Sequence, residues 1–254
     1  MDIRNYNRKA WNNYVDGGES LWTQPVSSEI IARARNGDFS ILLTERKPVP
    51  HEWFPTLNGL DTLCLASGGG QQGPVLAAAG ANVTVFDNSP RQLDQDRFVA
   101  EREGLDIRLV EGDMRDLSIF EDASFDFIFH PVSNLFIHEI RPVWHEAYRV
   151  LRSGGTMLSG FMNPVFYIFD FEKAEQGIME VRFKLPYSDS EHPDITEKLM
   201  ADGDALEHSH TLTEQLGGQM DAGFHIIGLY EDYHGTSAVS EYTPTYVATR
   251  AVKP

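Results

Sequence analysis

Between Asp61 and Phe161 the chain alternates short apolar runs with helix-patterned stretches, and this rhythm narrows the fold more than any other feature. The runs Thr62–Ala66, Val83–Phe86, Ile107–Glu111, Phe125–His130 and Thr156–Phe161 have the length of strands. Strands joined through helices pair in parallel, so the pattern predicts a doubly wound α/β sheet. Phe125–His130 is nearly all apolar, as a central strand covered on both faces must be. A helix is expected over Thr213–Ala222. The runs Phe224–Tyr230 and Thr245–Val252 then follow with no helix between them, which predicts an antiparallel pair closing the sheet edge.

The first strand stops at Ser67-Gly68-Gly69-Gly70-Gln71-Gln72-Gly73, and a helix-like segment follows to Ala79. Glycines at a strand-to-helix turn accept positive φ and let a ligand approach the main chain. Gly68, Gly70 and Gly73 satisfy the dinucleotide spacing G-x-G-x-x-G, a weak signal alone. The second strand ends on Asp87-Asn88-Ser89-Pro90, where Asp87 suits ribose hydroxyls and Ser89-Pro90 suits a helix start running to about Glu103. The third ends on Glu111-Gly112-Asp113-Met114, with an acid for the adenine edge and a thioether for its face. The fourth ends on His130-Pro131-Val132-Ser133-Asn134. Ligands of open parallel sheets bind outside the carboxyl ends of the strands, so these turns belong to one site. A helix over Arg141–Leu151 is expected to stop at Gly154-Gly155.

Outside this rhythm lie two segments. Residues 1–55 read as an irregular cover studded with aromatics, including Trp11, Tyr14 and Trp22, in which Ser27-Ser28-Glu29 followed by Ile30 to Arg35 reads as one capped helix ending near Gly37. Residues 163–206 interrupt the alternation with aromatics, acids and prolines, too long for a simple connection, and are expected to cover the substrate. The binding domain proper is placed at 56–254. A formal charge of −17 argues against nucleic acid, whose affinity depends on clustered Lys and Arg. The single cysteine, Cys64, lies within the first strand and reads as a core thiol. No stretch has the length of a membrane span, and a cytoplasmic location is expected. His208, His210 and Glu207 lie close together in sequence without a recognised ligand set, so no metal is expected.

Together these segments resemble the class I S-adenosylmethionine-dependent methyltransferases. Ala66-Ser67-Gly68-Gly69-Gly70 matches the family's glycine motif, Phe86-Asp87-Asn88-Ser89-Pro90 its ribose strand end, and Gly112-Asp113-Met114 its adenine turn. Ala147 to Gly155 and Asp221-Ala222-Gly223-Phe224 match its later signatures. The resemblance implies a Rossmann-like seven-stranded sheet of order 3-2-1-4-5-7-6 with the seventh strand antiparallel. It also implies S-adenosylmethionine as cofactor and methyl transfer to a small-molecule acceptor. Ala66, Ser67, Gly68 and Gly70 would line the methionine moiety, Asp87 and Asn88 the ribose, and Gly112, Asp113 and Met114 the adenine. His130 and Pro131 would lie near the transferred methyl, with His130 a candidate general base. Trp22, Ser133, Asn134 and Tyr167 are the candidate acceptor contacts. Two positions depart from the family pattern: Cys64 stands where an acid usually helps hold the methionine ammonium, and Ala66 stands for the first glycine. Gln71 and Gln72 are the candidates to serve the methionine end instead. A nicotinamide-dependent oxidoreductase and a non-catalytic nucleotide sensor are the alternative readings.

Overall fold

The structure, a computed structural model, describes residues 1–18 and 20–254. Its centre is a seven-stranded sheet, composed in chain order of β1 (Asp61–Leu65), β2 (Asn82–Asp87), β3 (Ile107–Glu111), β4 (Phe125–His130), β5 (Leu151–Met162), β6 (His225–Asp232) and β7 (Tyr246–Val252). The spatial order is β3-β2-β1-β4-β5-β7-β6, as the family resemblance implies. The pairs β3-β2, β2-β1, β1-β4 and β4-β5 are parallel, and β7 runs antiparallel to both β5 and β6.

Eight α-helices surround the sheet among the described residues: α1 (Ile3–Gly17), α2 (Ser28–Ala34), α3 (Gln72–Ala78), α4 (Pro90–Glu103), α5 (Arg141–Val150), α6 (Phe171–Glu175), α7 (Pro193–Asp202) and α8 (Gly218–Ala222). Side chains alternate across the sheet and build a core on each face. Phe127 and Phe129 of β4 pack with Cys64, Val85, Leu76 and Leu93 on one side. Ile128 packs with Leu63, Leu65 and Trp144 of α5 on the other. A third cluster, with Tyr167, Phe183, Tyr187 and Tyr246, joins the insertion to the ends of β5 and β7.

Three local expectations are corrected. Residues 3–17 are not irregular: they form α1, started by the Asp2 carboxylate accepting from the Asn5 amide and ended by left-handed Gly18. The helix before β5 ends at Val150, not at the glycine pair. Leu151 already takes extended geometry, and Gly154 and Gly155 lie inside β5, whose start bends at Gly154 (φ +81°). The expected helix at 213–222 opens with a wide π turn over Thr213–Gly217 before α8 begins. None of the described helices is long and apolar enough to cross a membrane.

Candidate active site

The carboxyl ends of β1 to β4 open onto one cavity of about 670 Å³, within the size range of small-molecule sites. Ala66, Ser67, Gly68, Gln71 and Gln72 line it after β1, and Asp87 and Asn88 after β2. Gly112, Asp113 and Met114 line it after β3, and Pro131 and Ser133 after β4. Trp22 of the N-terminal segment closes part of its wall and is 42% exposed. Four expected site residues do not reach the cavity wall: Gly70, His130, Asn134 and Tyr167.

The turn after β1 is shaped by its backbone. Ala66 takes a left-handed φ of +48°, the conformation that a glycine provides without strain, and its amide donates to Phe86 O at 2.7 Å. The glycines that follow lie against α4: a Cβ on Gly68 would come within 2.7 Å of Gln92 Cβ, and one on Gly70 within 2.8 Å of Gln95 O. Position 64 carries no acid, but the loop still meets one, since Asp96 of α4 accepts from the Gly69 amide at 3.0 Å through Oδ2. Asp96 is fully buried with its Oδ1 unpartnered, and burial pushes its carboxyl up to about 8. Cys64 is buried beside it, and burial pushes its thiol up as well. The two glutamines divide. Gln71 spends its amide NH₂ on Leu21 O (2.7 Å) and Gln24 O (3.0 Å), tying down the N-terminal segment. Gln72 accepts from Ser67 Oγ at 3.3 Å at the cavity wall.

Asp87 is half-buried and faces the cavity. Its Oδ2 accepts from Gly68 N (2.9 Å) and its Oδ1 from Ser89 N (2.8 Å), while burial raises its pKa against those bonds. Each oxygen keeps a second lone pair for a ligand hydroxyl. Asn88 is clamped to α1, accepting from Arg4 Nε at 2.9 Å and donating to Arg4 O at 3.2 Å. Asp113 is gripped by the guanidinium of Arg115, with Nη2 to Oδ2 at 2.7 Å, and Arg4 lies 3.6 Å away. Burial alone would raise this carboxyl, but Arg115 and Arg4 outweigh it and hold the group below the ordinary range. Gly112 is required by packing: a Cβ there would sit 2.1 Å from Phe86 Cζ.

His130 is fully buried, with Nδ1 bonded to Leu65 O (2.9 Å) and Nε2 to Asn134 Oδ1 (2.6 Å). Burial lowers its pKa against these two bonds, and the ring braces β1 against the turn after β4. Asn134 continues the same chain of bonds to Gln215 Oε1 at 3.0 Å. Neither side chain points a free atom at the cavity.

Beyond the cofactor-type turns the wall changes character, and most of its residues have no sequence motif. Glu207, Asp189, Asp204 and Glu45 line it, each accepting from a tyrosine hydroxyl: Tyr167 to Glu207 (2.8 Å), Tyr187 to Asp189 (2.6 Å), Tyr14 to Asp204 (3.1 Å) and Tyr246 to Glu45 (3.0 Å). Tyr167 therefore stands behind the wall as the support of Glu207. These pairs join residues from 2 to 201 positions apart in the chain. The only hint in the sequence was the mixture of aromatics and acids in the insertion. His208 and His210 are buried structural groups, bonded to Ser188 Oγ (2.7 Å) and to the carbonyls of Asn134 (2.9 Å) and Ile137 (3.0 Å) respectively. Among the described residues no group of three or more His, Cys, Asp or Glu is placed to hold a metal ion.

Comparison with known proteins agrees with this layout. A family described as "Methyltransferase domain" matches residues 63–159. Over 250 residues the chain is 51% identical to the uncharacterized methyltransferase YbaJ of Bacillus subtilis, covering 98% of this chain and 97% of that protein. It is 27% identical over 163 residues to the sterol 24-C-methyltransferase erg-4 of Neurospora crassa, 63% of this chain and 38% of that protein. Among solved structures, an S-adenosylmethionine-dependent methyltransferase from Mesorhizobium loti superposes with a TM-score of 0.63 at 17% identity, covering 80% of this chain and 94% of that one. A geranyl diphosphate methyltransferase solved with geranyl diphosphate and sinefungin gives 0.62 at 14% identity over the whole of both chains.

Proposed function

Because this chain belongs to the class I S-adenosylmethionine-dependent methyltransferases, we propose that it methylates a small-molecule acceptor inside the cavity above β1 to β4. One observation carries the reading: the glycine turn, Asp87 and the Gly112–Met114 turn line one cavity that continues into a separate, aromatic and carboxylate-lined half. A cofactor and a second reactant can thus meet in one cavity.

S-adenosylmethionine, when bound, supplies a methyl group activated on a sulfonium. In our reading Asp87 accepts from the ribose hydroxyls, and Met114 and Phe86 support the adenine. The backbone of Ala66, Ser67 and Gly68, with Gln72, holds the methionine end. Asp113 has its carboxylate occupied by Arg115, so its contribution to the adenine site is to fix the turn as much as to accept a hydrogen bond. Ser133 and Trp22 border the acceptor. Transfer of a methyl group needs alignment and exclusion of water more than strong acid–base chemistry, which fits a site closed by α1 and the insertion.

The wall argues against an anionic acceptor such as a diphosphate, because Arg4 is the one Lys or Arg that lines the cavity among the described residues, and it is engaged by Asn88 and Asp113. Calorimetric titration with S-adenosylhomocysteine and with NADH tests the function: heat with the former and none with the latter is expected. The reverse would replace this reading with an oxidoreductase.

A further inference from the structure

The acceptor half of the cavity is rich in carboxyl groups and poor in cations. Glu45, Asp189, Asp204 and Glu207 line it, and their partners are tyrosine hydroxyls and backbone amides. These donors orient the carboxyl groups, and none of them is a cation. His234, 3.7 Å from Glu45, is the only basic side chain beside them in the wall apart from Arg4 among the described residues. Trp11, Phe136, Phe166 and Phe171 present aromatic surface to the same space. Carboxyl groups and aromatic faces around one cavity favour a cation, through charge and through the ring quadrupoles. A carboxylate or phosphate ligand would be repelled, and an uncharged one would leave the charge uncompensated.

We propose that the methyl acceptor is a small amine, bound as its ammonium against Glu207, which takes a proton from it before transfer. This rests on the methyltransferase reading above. Glu207 is placed for both tasks: Tyr167 fixes Oε2, and the half-buried side chain lies at the cavity wall. The groups that face it are Asp189, Asp204, Tyr14, Tyr167, Tyr187 and Tyr246. Burial, and then the charge of Asp189, push Glu207 up to about 7, which brings it closer to an ammonium than an ordinary carboxyl. In the step, the ammonium gives one proton to the Glu207 carboxylate and becomes a neutral amine. Its lone pair forms the new C–N bond as the S–CH₃ bond breaks, and that bonding pair returns to sulfur as the neutral thioether. The N-methylated product leaves as the cation.

The test uses the full chain saturated with S-adenosylhomocysteine and titrated with benzylamine, benzyl alcohol and benzoate, three probes of similar shape and different charge. Benzylamine is expected to bind about tenfold more tightly than the alcohol, with benzoate weakest. Its affinity should fall as the pH drops below about 7, where Glu207 takes up a proton. Glu207→Gln should abolish the preference while leaving the affinity for S-adenosylhomocysteine unchanged. Tyr167→Phe, which keeps the charge, should retain the preference, and it serves as the control if the glutamine variant does not fold. Equal or tighter binding of the alcohol or benzoate, or no amine binding at millimolar concentration, would overturn the proposal and leave the methyltransferase reading standing. Absence of S-adenosylhomocysteine binding would overturn both.

Discussion

Ala66 holds a left-handed backbone at the turn out of β1, where a methyl side chain is strained and a hydrogen is not. Ala66→Gly is therefore expected to leave the fold intact and to stabilise it by up to ~1 kcal/mol, the strain relief exceeding the added flexibility of the unfolded chain. Thermal unfolding reads this directly, and a lower midpoint would contradict it. Asp87 combines two structural bonds with a cavity-facing position. Asp87→Ala should weaken S-adenosylhomocysteine binding by ~1–3 kcal/mol, and unchanged calorimetric affinity would remove it from the site. His130 shows where reading residues from strand ends misleads. A histidine at a carboxyl edge suggests a base, but this ring points into the core and spends both nitrogens there. Strand position tells that a residue is near the site, whereas side-chain direction depends on packing that a single sequence does not display.

Among the elements the sequence concealed, α1 is the longest, and the reason is physical. Its buried residues are Asn7 and Ala10, so no apolar stripe of helical period announces it. Polar contacts hold it in place: Asn7 donates to Phe136 O (3.0 Å) and Leu206 O (2.9 Å) and accepts from Leu206 N (2.8 Å). Asn7→Ala leaves these groups unpaired in the interior and should cost ~1–3 kcal/mol. Hydrogen exchange should quicken in residues 3–17 and 204–207 while the central strands stay protected, and uniform protection would refute the assignment. The strands, by contrast, were legible because apolar runs and glycine turns are local signals, and their order is the one the family resemblance implied. The start of β5 was not, since Gly154-Gly155 reads as a helix stop and the strand forms there through its pairing with neighbours.

Two of the acids that burial raises lie beneath the glycine loop and at the carboxylate-lined wall of the cavity. Asp96 is pushed by burial from 3.8 to about 8, and Glu207 from 4.5 to about 7. Between the unfolded and folded values the native state binds more protons than the unfolded one, so stability falls as pH rises through the folded pKa. His208, lowered by burial to about 4, acts in the opposite sense, but below the unfolded value of 6.5. The thermal midpoint of the ligand-free protein is thus expected to drop from pH 6.5 to 8.5, and Asp96→Asn should flatten much of that slope. A midpoint that climbs over this interval would contradict the burial argument. At this scale the cavity wall at the ends of β1 to β3 could be read from sequence because local backbone turns build it. The carboxylate-lined wall could not, because tyrosine–carboxylate pairs drawn from distant segments build it.

The acid beneath the glycine loop comes from α4, and α1 also rests on that helix, with Asp16 on Arg91 (2.7 Å) and Asn12 on Ser89 (2.8 Å). The cover and the loop consequently share a fulcrum. Lifting α1 tugs the helix that steadies the Gly69 amide, so entry to the cavity and slackening of the loop are expected to occur as one motion. The exchange rates of the Gly69 amide and of α1 should then rise and fall together as ligand is added or withdrawn.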